Sequence, residues 1–98
     1  MTPEGKRRPQ IEHDIEAREF VLSVPEGQGT LAYTPAGEGV VDFVSTYVPH
    51  HLRGKGYAEA LVVEAFNWAR KEKLKVIPSC WFVGVVVKRK PEYKDLIQ

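Results

Sequence analysis

The segment from Val48 to Ala58, Val-Pro-His-His-Leu-Arg-Gly-Lys-Gly-Tyr-Ala, constrains this chain more than any other. A β-rich run, Val40 to Val48, stops at Pro49, and a long amphipathic stretch starts just after Gly56. Gly54 and Gly56 allow backbone conformations that a Cβ would block, so successive amides can turn toward one point. A helix starting there leaves its first amide donors without internal partners. Its dipole adds positive potential at the same end. Such a turn can hold a phosphate or diphosphate, and Arg53 and Lys55 add local charge. A tight strand-to-helix turn would by itself also call for the two glycines. Two nucleotide motifs do not fit. A P-loop needs Gly-x-x-x-x-Gly-Lys-Ser/Thr, whereas Lys55 precedes Gly56; the dinucleotide fingerprint needs a third glycine where Glu59 stands.

The elements around the turn set the fold class. Residues 15–24, 30–34 and 40–48 are expected strands, separated by the turn-forming stretches Glu26-Gly-Gln-Gly29 and Pro35-Ala-Gly-Glu-Gly39. Close in sequence, they suit an antiparallel meander. After the turn, Ala58, Leu61, Val62, Ala65, Phe66, Trp68 and Ala69 follow a 3.6-residue period, predicting a helix to about Lys73. Leu74 to Ile77 is a fourth strand, stopped by Pro78. Strand, helix and strand make a crossover, so the flanking strands should run parallel. In Cys80 to Lys90, Val85-Val-Val87 favours strand, but the spacing of Trp81, Val85 and Lys88 and the basic end before Pro91 favour a helix. The expected class is α/β (α+β). It comprises a three-stranded antiparallel meander, a βαβ crossover with one long central helix, and a short C-terminal helix.

The chain has 98 residues, room for one small domain, placed at 12–98 behind a flexible polar tail at 1–11. A formal net charge of +1 gives no global basic field, which argues against nucleic acid as partner. The most apolar run, Cys80 to Val87, is far too short to cross a bilayer. The basic N-terminus lacks the apolar segment of a signal peptide. Cys80, the sole cysteine, agrees with a reducing compartment. A cytoplasmic protein, monomeric or weakly dimeric, without membrane or metal is expected.

Arg-x-x-Gly-x-Ala, present as Arg53-Gly-Lys-Gly56-Tyr-Ala58, resembles the diphosphate-binding signature of the GCN5-related N-acetyltransferase superfamily. The wider run strengthens the likeness: Thr46-Tyr-Val-Pro before the turn, the helix, then Leu74-Lys-Val-Ile-Pro-Ser-Cys80 and Pro91-Glu-Tyr93. It is similar to the small single-domain branch, whose members are little more than an acetyl-CoA-binding core. This resemblance implies acetyl-CoA as cofactor and a small amine or a protein lysine as acceptor. It implies that the backbone of Arg53, Gly54, Lys55, Gly56, Tyr57 and Ala58 holds the diphosphate. Tyr47 and Val48 would pair with the pantetheine arm as an added strand would. Cys80 would face the thioester, where a thiol can give a proton to the departing thiolate or accept the acyl group. One position departs from the branch. The residue before Thr46 is commonly histidine and here is Ser45, whose hydroxyl cannot take up a proton near neutral pH.

The remaining candidates have plainer roles. His50 and His51 are expected as exposed loop residues, Tyr93 as an anchor for the C-terminal segment, and His13 without a role. Lys88-Arg-Lys90 is expected as a solvated helix end, with a ribose phosphate of the coenzyme as the other reading. The alternative to an enzyme is a non-catalytic, CoA-responsive or protein-interaction module.

Overall fold

Four strands in sequence make an antiparallel meander, and a long helix then returns the chain to a fifth strand parallel to the fourth. A computed structural model describes residues 9–98. The strands are β1 (Gln10–Asp14), β2 (Glu19–Val24), β3 (Gly27–Pro35), β4 (Val40–Tyr47) and β5 (Lys75–Ile77), ordered β1-β2-β3-β4-β5 in one sheet. The helices are α1 (Tyr57–Lys71) and α2 (Trp81–Arg89), with 3-10 turns over His50–Leu52 and Pro91–Leu96. The expected class and the parallel β4–β5 pair are both present.

The first strand departs from expectation. Residues 15–18 form a turn between β1 and β2, closed by Arg18 N–H donating to the Ile15 carbonyl at 3.2 Å. Asp14 Oδ1 accepts from the Ala17 amide at 3.1 Å, and Arg18 takes a positive φ of 57°. β1 was not anticipated, because Ile11 is its only aliphatic residue and the inward alternation continues through His13, a polar letter. Gln10 and Ile11, assigned to the tail, are paired with Ser23 and Leu22; residues 1–8 of the expected tail lie outside the described residues. The glycines expected in the next turn belong to β3, because Val24 pairs with Gly27 across Pro25 and Glu26 alone.

One face of the sheet packs on α1. Phe20, Leu22, Leu31, Val41 and Phe43 meet Leu61, Val62, Ala65 and Phe66 of the helix, and Val83 and Val86 of α2 complete the core. Each of the valine, leucine and phenylalanine side chains contributes about 1.5–3 kcal/mol on burial. The helix over Cys80 to Lys90 forms, but not on the stripe by which its spacing was recognised. Val83 and Val86 point inward, while Trp81 is 77% exposed. Tyr93 anchors the C-terminal segment by stacking on Phe66, ring centroids 5.0 Å apart, and its hydroxyl donates to Asn67 Oδ1. The chain end then covers the outer edge of β5, with the Gln98 amide donating to the Val76 carbonyl at 2.9 Å. Among the described residues no helix is long and apolar enough to cross a membrane, and no group of side chains has the makings of a metal site.

Candidate functional site

A bulge in β4 builds the site. Ala32 pairs with Ser45 but Tyr33 pairs with Phe43, which leaves Val44 as an extra residue. An inserted residue reverses the alternation of faces beyond it. Val41 and Phe43 point into the core before the bulge, and after it Thr46 and Val48 turn to that side while Tyr47 is 57% exposed. β4 and β5 are paired only over Val40–Asp42 and Lys75–Ile77. One further link follows, from the Cys80 amide to the Phe43 carbonyl at 2.9 Å. Past it the strands separate and open a cleft of about 520 Å³.

The glycine turn closes one end of this cleft. Leu52, 1% exposed, pins the 3-10 turn to the core. Arg53 Nε donates to the Val48 carbonyl at 2.8 Å, tying the turn back to the end of β4 and occupying one of the backbone groups of Val48. Gly54 and Gly56 have φ of 82° and 83°. A Cβ on either meets nothing within 4 Å, so conformation rather than crowding calls for glycine. Gly56 is the N-cap of α1 and offers no side-chain cap. The first amides of the helix therefore have no side-chain cap, an arrangement able to hold an anion.

Cys80 stands at the other end, as N-cap of α2. It is 8% exposed, lines the cleft, and its thiol donates to Thr46 Oγ1 at 3.5 Å. The cleft thus brings together Val48, Arg53, Gly54, Gly56, Tyr57, Ala58 and Cys80 of the expected residues. Tyr47 and Lys55 do not line it: the Tyr47 side chain follows the outward alternation of β4, and Lys55 is exposed in the turn. Ser45 is exposed and likewise outside the lining. His51 is exposed but not idle, since its Nε2 lies 3.0 Å from the Glu26 carbonyl and braces the β2–β3 hairpin. Among the described residues no histidine lines the cleft.

Three features escaped the sequence. Thr46, noticed only as part of a motif, becomes a lining residue through the bulge. Glu59, in the first turn of α1, is bound across the cleft by Arg89 Nη1 at 2.8 Å and Lys90 Nζ at 3.8 Å. His13, given no role, stacks on Phe20 at 4.1 Å and meets the edge of Trp68 at 4.8 Å. Its Nε2 lies 2.5 Å from the Tyr33 hydroxyl. Desolvation holds the His13 imidazole below its ordinary value against the pull of Asp14 and Glu72, and desolvation likewise raises the Tyr33 phenol. The local signal for His13 was its place in alternation with Ile11.

The chain as a whole is similar to known proteins in sequence and in fold. The description of the GCN5-related N-acetyl-transferase family matches residues 19–96. The chain is similar to Protein NATD1 of Gallus gallus, 33% identical over 91% of this chain and 84% of that one. The human protein of the same name is 31% identical over 91% of this chain and 82% of its own. In three dimensions the fold is similar to that of a GCN5-like protein from Staphylococcus aureus, solved in solution by NMR. That likeness has a TM-score of 0.71, 21% identity, and covers 91% of this chain and 87% of the other. A match running from β2 into the last 3-10 turn spans both ends of the cleft, and the chain belongs to the GCN5-related N-acetyltransferase family.

Proposed function

We propose that the cleft binds acetyl-CoA and that the protein transfers its acetyl group to an amine. The carrying observation is the cleft itself, with unpaired helix amides and two left-handed glycines at one end and Cys80 at the other. The amides of Gly54 to Ala58 would receive the diphosphate, and the backbone groups of Tyr47 and Val48 other than the Val48 carbonyl, which Arg53 holds, would receive the pantetheine amides. In the reaction a neutral amine attacks the thioester carbonyl, a C–N bond forms and the C–S bond breaks. The amine gives up a proton to solvent water, the departing thiolate gains one, and a thiol that has donated its proton regains one from solvent, so the net proton count is unchanged. Cys80 Sγ–H would supply that proton, a reading supported by its place in the cleft lining and its hydrogen bond to Thr46 Oγ1. The acceptor is a protein lysine, a polyamine or another small amine.

A second reading, a CoA-responsive module without turnover, is favoured by one observation: the cleft has no imidazole to deprotonate the amine. Two measurements separate the readings. Acetyl-CoA at about a hundred times its Kd should stabilise the fold by about 2.7 kcal/mol, an upward shift in Tm on the order of ten degrees for a domain of this size. Gly56→Val, which strains the turn and fills its open side, should abolish the shift. No shift at millimolar acetyl-CoA would overturn both readings. If the shift is present, consumption of acetyl-CoA in the presence of spermidine or a lysine peptide marks the enzyme, and binding without consumption marks the module.

A further inference from the structure

α2 runs the length of the cleft. Its N-terminus carries Cys80 and Trp81 at the thioester end, and nine residues later, about 13 Å on at the helical rise, Arg89 lies at the anion end. Arg89 is fixed there from the opposite wall. Glu59 sits in the first turn of α1, immediately after the glycine turn, and its carboxylate accepts from Arg89 Nη1 at 2.8 Å. The second carboxylate oxygen faces Lys90 Nζ at 3.8 Å. Glu59 and Arg89 both line the cleft. The Arg89 side chain is 61% exposed, so the ion pair contributes little to stability. Left alone, the Glu59 carboxylate would repel an anion seated on the neighbouring amides. Two cations neutralise it and leave excess positive charge at the mouth, in a chain whose formal net charge is only +1. A guanidinium with one Nη engaged keeps further N–H groups for a second anion.

We propose that Arg89 is a phosphate-binding residue: Glu59 holds its guanidinium at the mouth of the cleft, where it grips the diphosphate resting on the Gly54–Ala58 turn. The assignment rests on the reading of the cleft as a coenzyme A site. It replaces the solvated helix end expected for Lys88-Arg-Lys90 with a specific role for its central residue. The diphosphate, not the ribose phosphate, is the partner, because Arg89 is tied to the first turn of the helix whose N-terminus receives it.

Isothermal titration of the full chain with CoA, with dephospho-CoA and with pantetheine tests this. Arg89→Ala should weaken CoA and dephospho-CoA alike, by about tenfold or more as for a lost charge-assisted hydrogen bond, and leave pantetheine, which has no diphosphate, unchanged. Arg89→Lys should fall between, because an ammonium keeps the charge but not the fork. CoA affinity within twofold of the parent in Arg89→Ala would overturn the assignment. So would a loss confined to CoA, which would place Arg89 on the ribose phosphate, or an equal loss for pantetheine, which would make it structural. If the parent binds none of the three, the coenzyme reading itself has failed. An unchanged unfolding temperature in Arg89→Ala keeps these outcomes apart from misfolding.

Discussion

The Cys80 thiol lies 3.5 Å from the Thr46 hydroxyl at the base of the cleft, almost fully shielded from solvent. A buried free cysteine is usually a small apolar filler. Two things set this one apart: it lines a cleft, and its hydrogen-bond partner is a side chain brought round by a strand bulge. If the thiol protonates the leaving group, Cys80→Ala should lower turnover on a single amine by about a hundredfold or more. Acetyl-CoA binding, followed by thermal shift, should persist. Equal rates in parent and variant would return Cys80 to a packing role. The sequence alone marked Cys80 by its place after a short strand, but could not supply Thr46 as its partner. That contact spans 34 positions and depends on Val44 being unpaired.

Among the elements, three glycines sort by physical cause, and substituting each with alanine should give a different sign or size. Gly56 has a left-handed φ and open space around it, so Gly56→Ala should cost about 1–2 kcal/mol in strain. Gly29 is crowded instead: a Cβ there would sit 3.1 Å from the Tyr47 carbonyl oxygen and 3.2 Å from Val48 Cγ2. Gly29→Ala should cost about 1–3 kcal/mol by overpacking and should also disturb the end of β4 that lines the cleft. Gly84 lies exposed within α2 with nothing near its missing Cβ. Gly84→Ala should stabilise by about 0.5–1 kcal/mol. Thermal unfolding of the three variants checks the order, and a destabilised Gly84→Ala would contradict the helix over Trp81–Arg89. Gly54 and Gly56 were legible from sequence as turn residues because their requirement is local. Gly29 was assigned to a turn, since only the approach of β4 reveals why a Cβ is excluded there.

For the molecule as a whole, the C-terminal turn of α1 is tied both to the first hairpin and to the last 3-10 turn. At one tie, Trp68 meets His13 and Phe20 of the β1–β2 hairpin. At the other, Arg70 grips both Asp95 carboxylate oxygens at 3.0 and 3.1 Å and the Glu92 carbonyl at 2.8 Å. Both ties are sensitive to acid, in separate windows. Desolvation holds His13 below 6.5, so the unfolded chain takes up that proton first. Its contribution is complete above 6.5 and is lost as pH falls from there through the lowered folded value. The hydrogen bond from Arg70 holds Asp95 below 3.8, so this contribution is complete above that value and is lost as pH falls through the lowered one. Acidification from neutral to about pH 5 should therefore lower Tm less in His13→Phe, which keeps an aromatic ring without the proton site, than in the parent. Arg70→Met should leave that range alone and flatten the decline at lower pH. Identical Tm profiles for parent and His13→Phe would show that His13 titrates as in the unfolded chain.

The sequence by itself determined the elements whose cause is local. The period of α1, the stops at Pro49 and Pro78 and the turn glycines before α1 follow from neighbours within a few residues, and the parallel return of β5 follows from the order strand, helix, strand. It also carried the family, because the glycine turn from Arg53 to Ala58 is a contiguous motif. Tertiary structure alone decided the rest. β1 exists because β2 offers an edge that a mostly polar strand can join. The bulge at Val44, invisible in a run of β-formers, turns Thr46 and Val48 toward the helix side of the sheet. The face of α2 is chosen by what it packs against, so Val83 and Val86 go inward and Trp81 out. Glu59 and Arg89, 30 positions apart, meet only because two helices flank one cleft. A pattern within one element constrains that element, whereas a site assembled across elements is set by where the strands part.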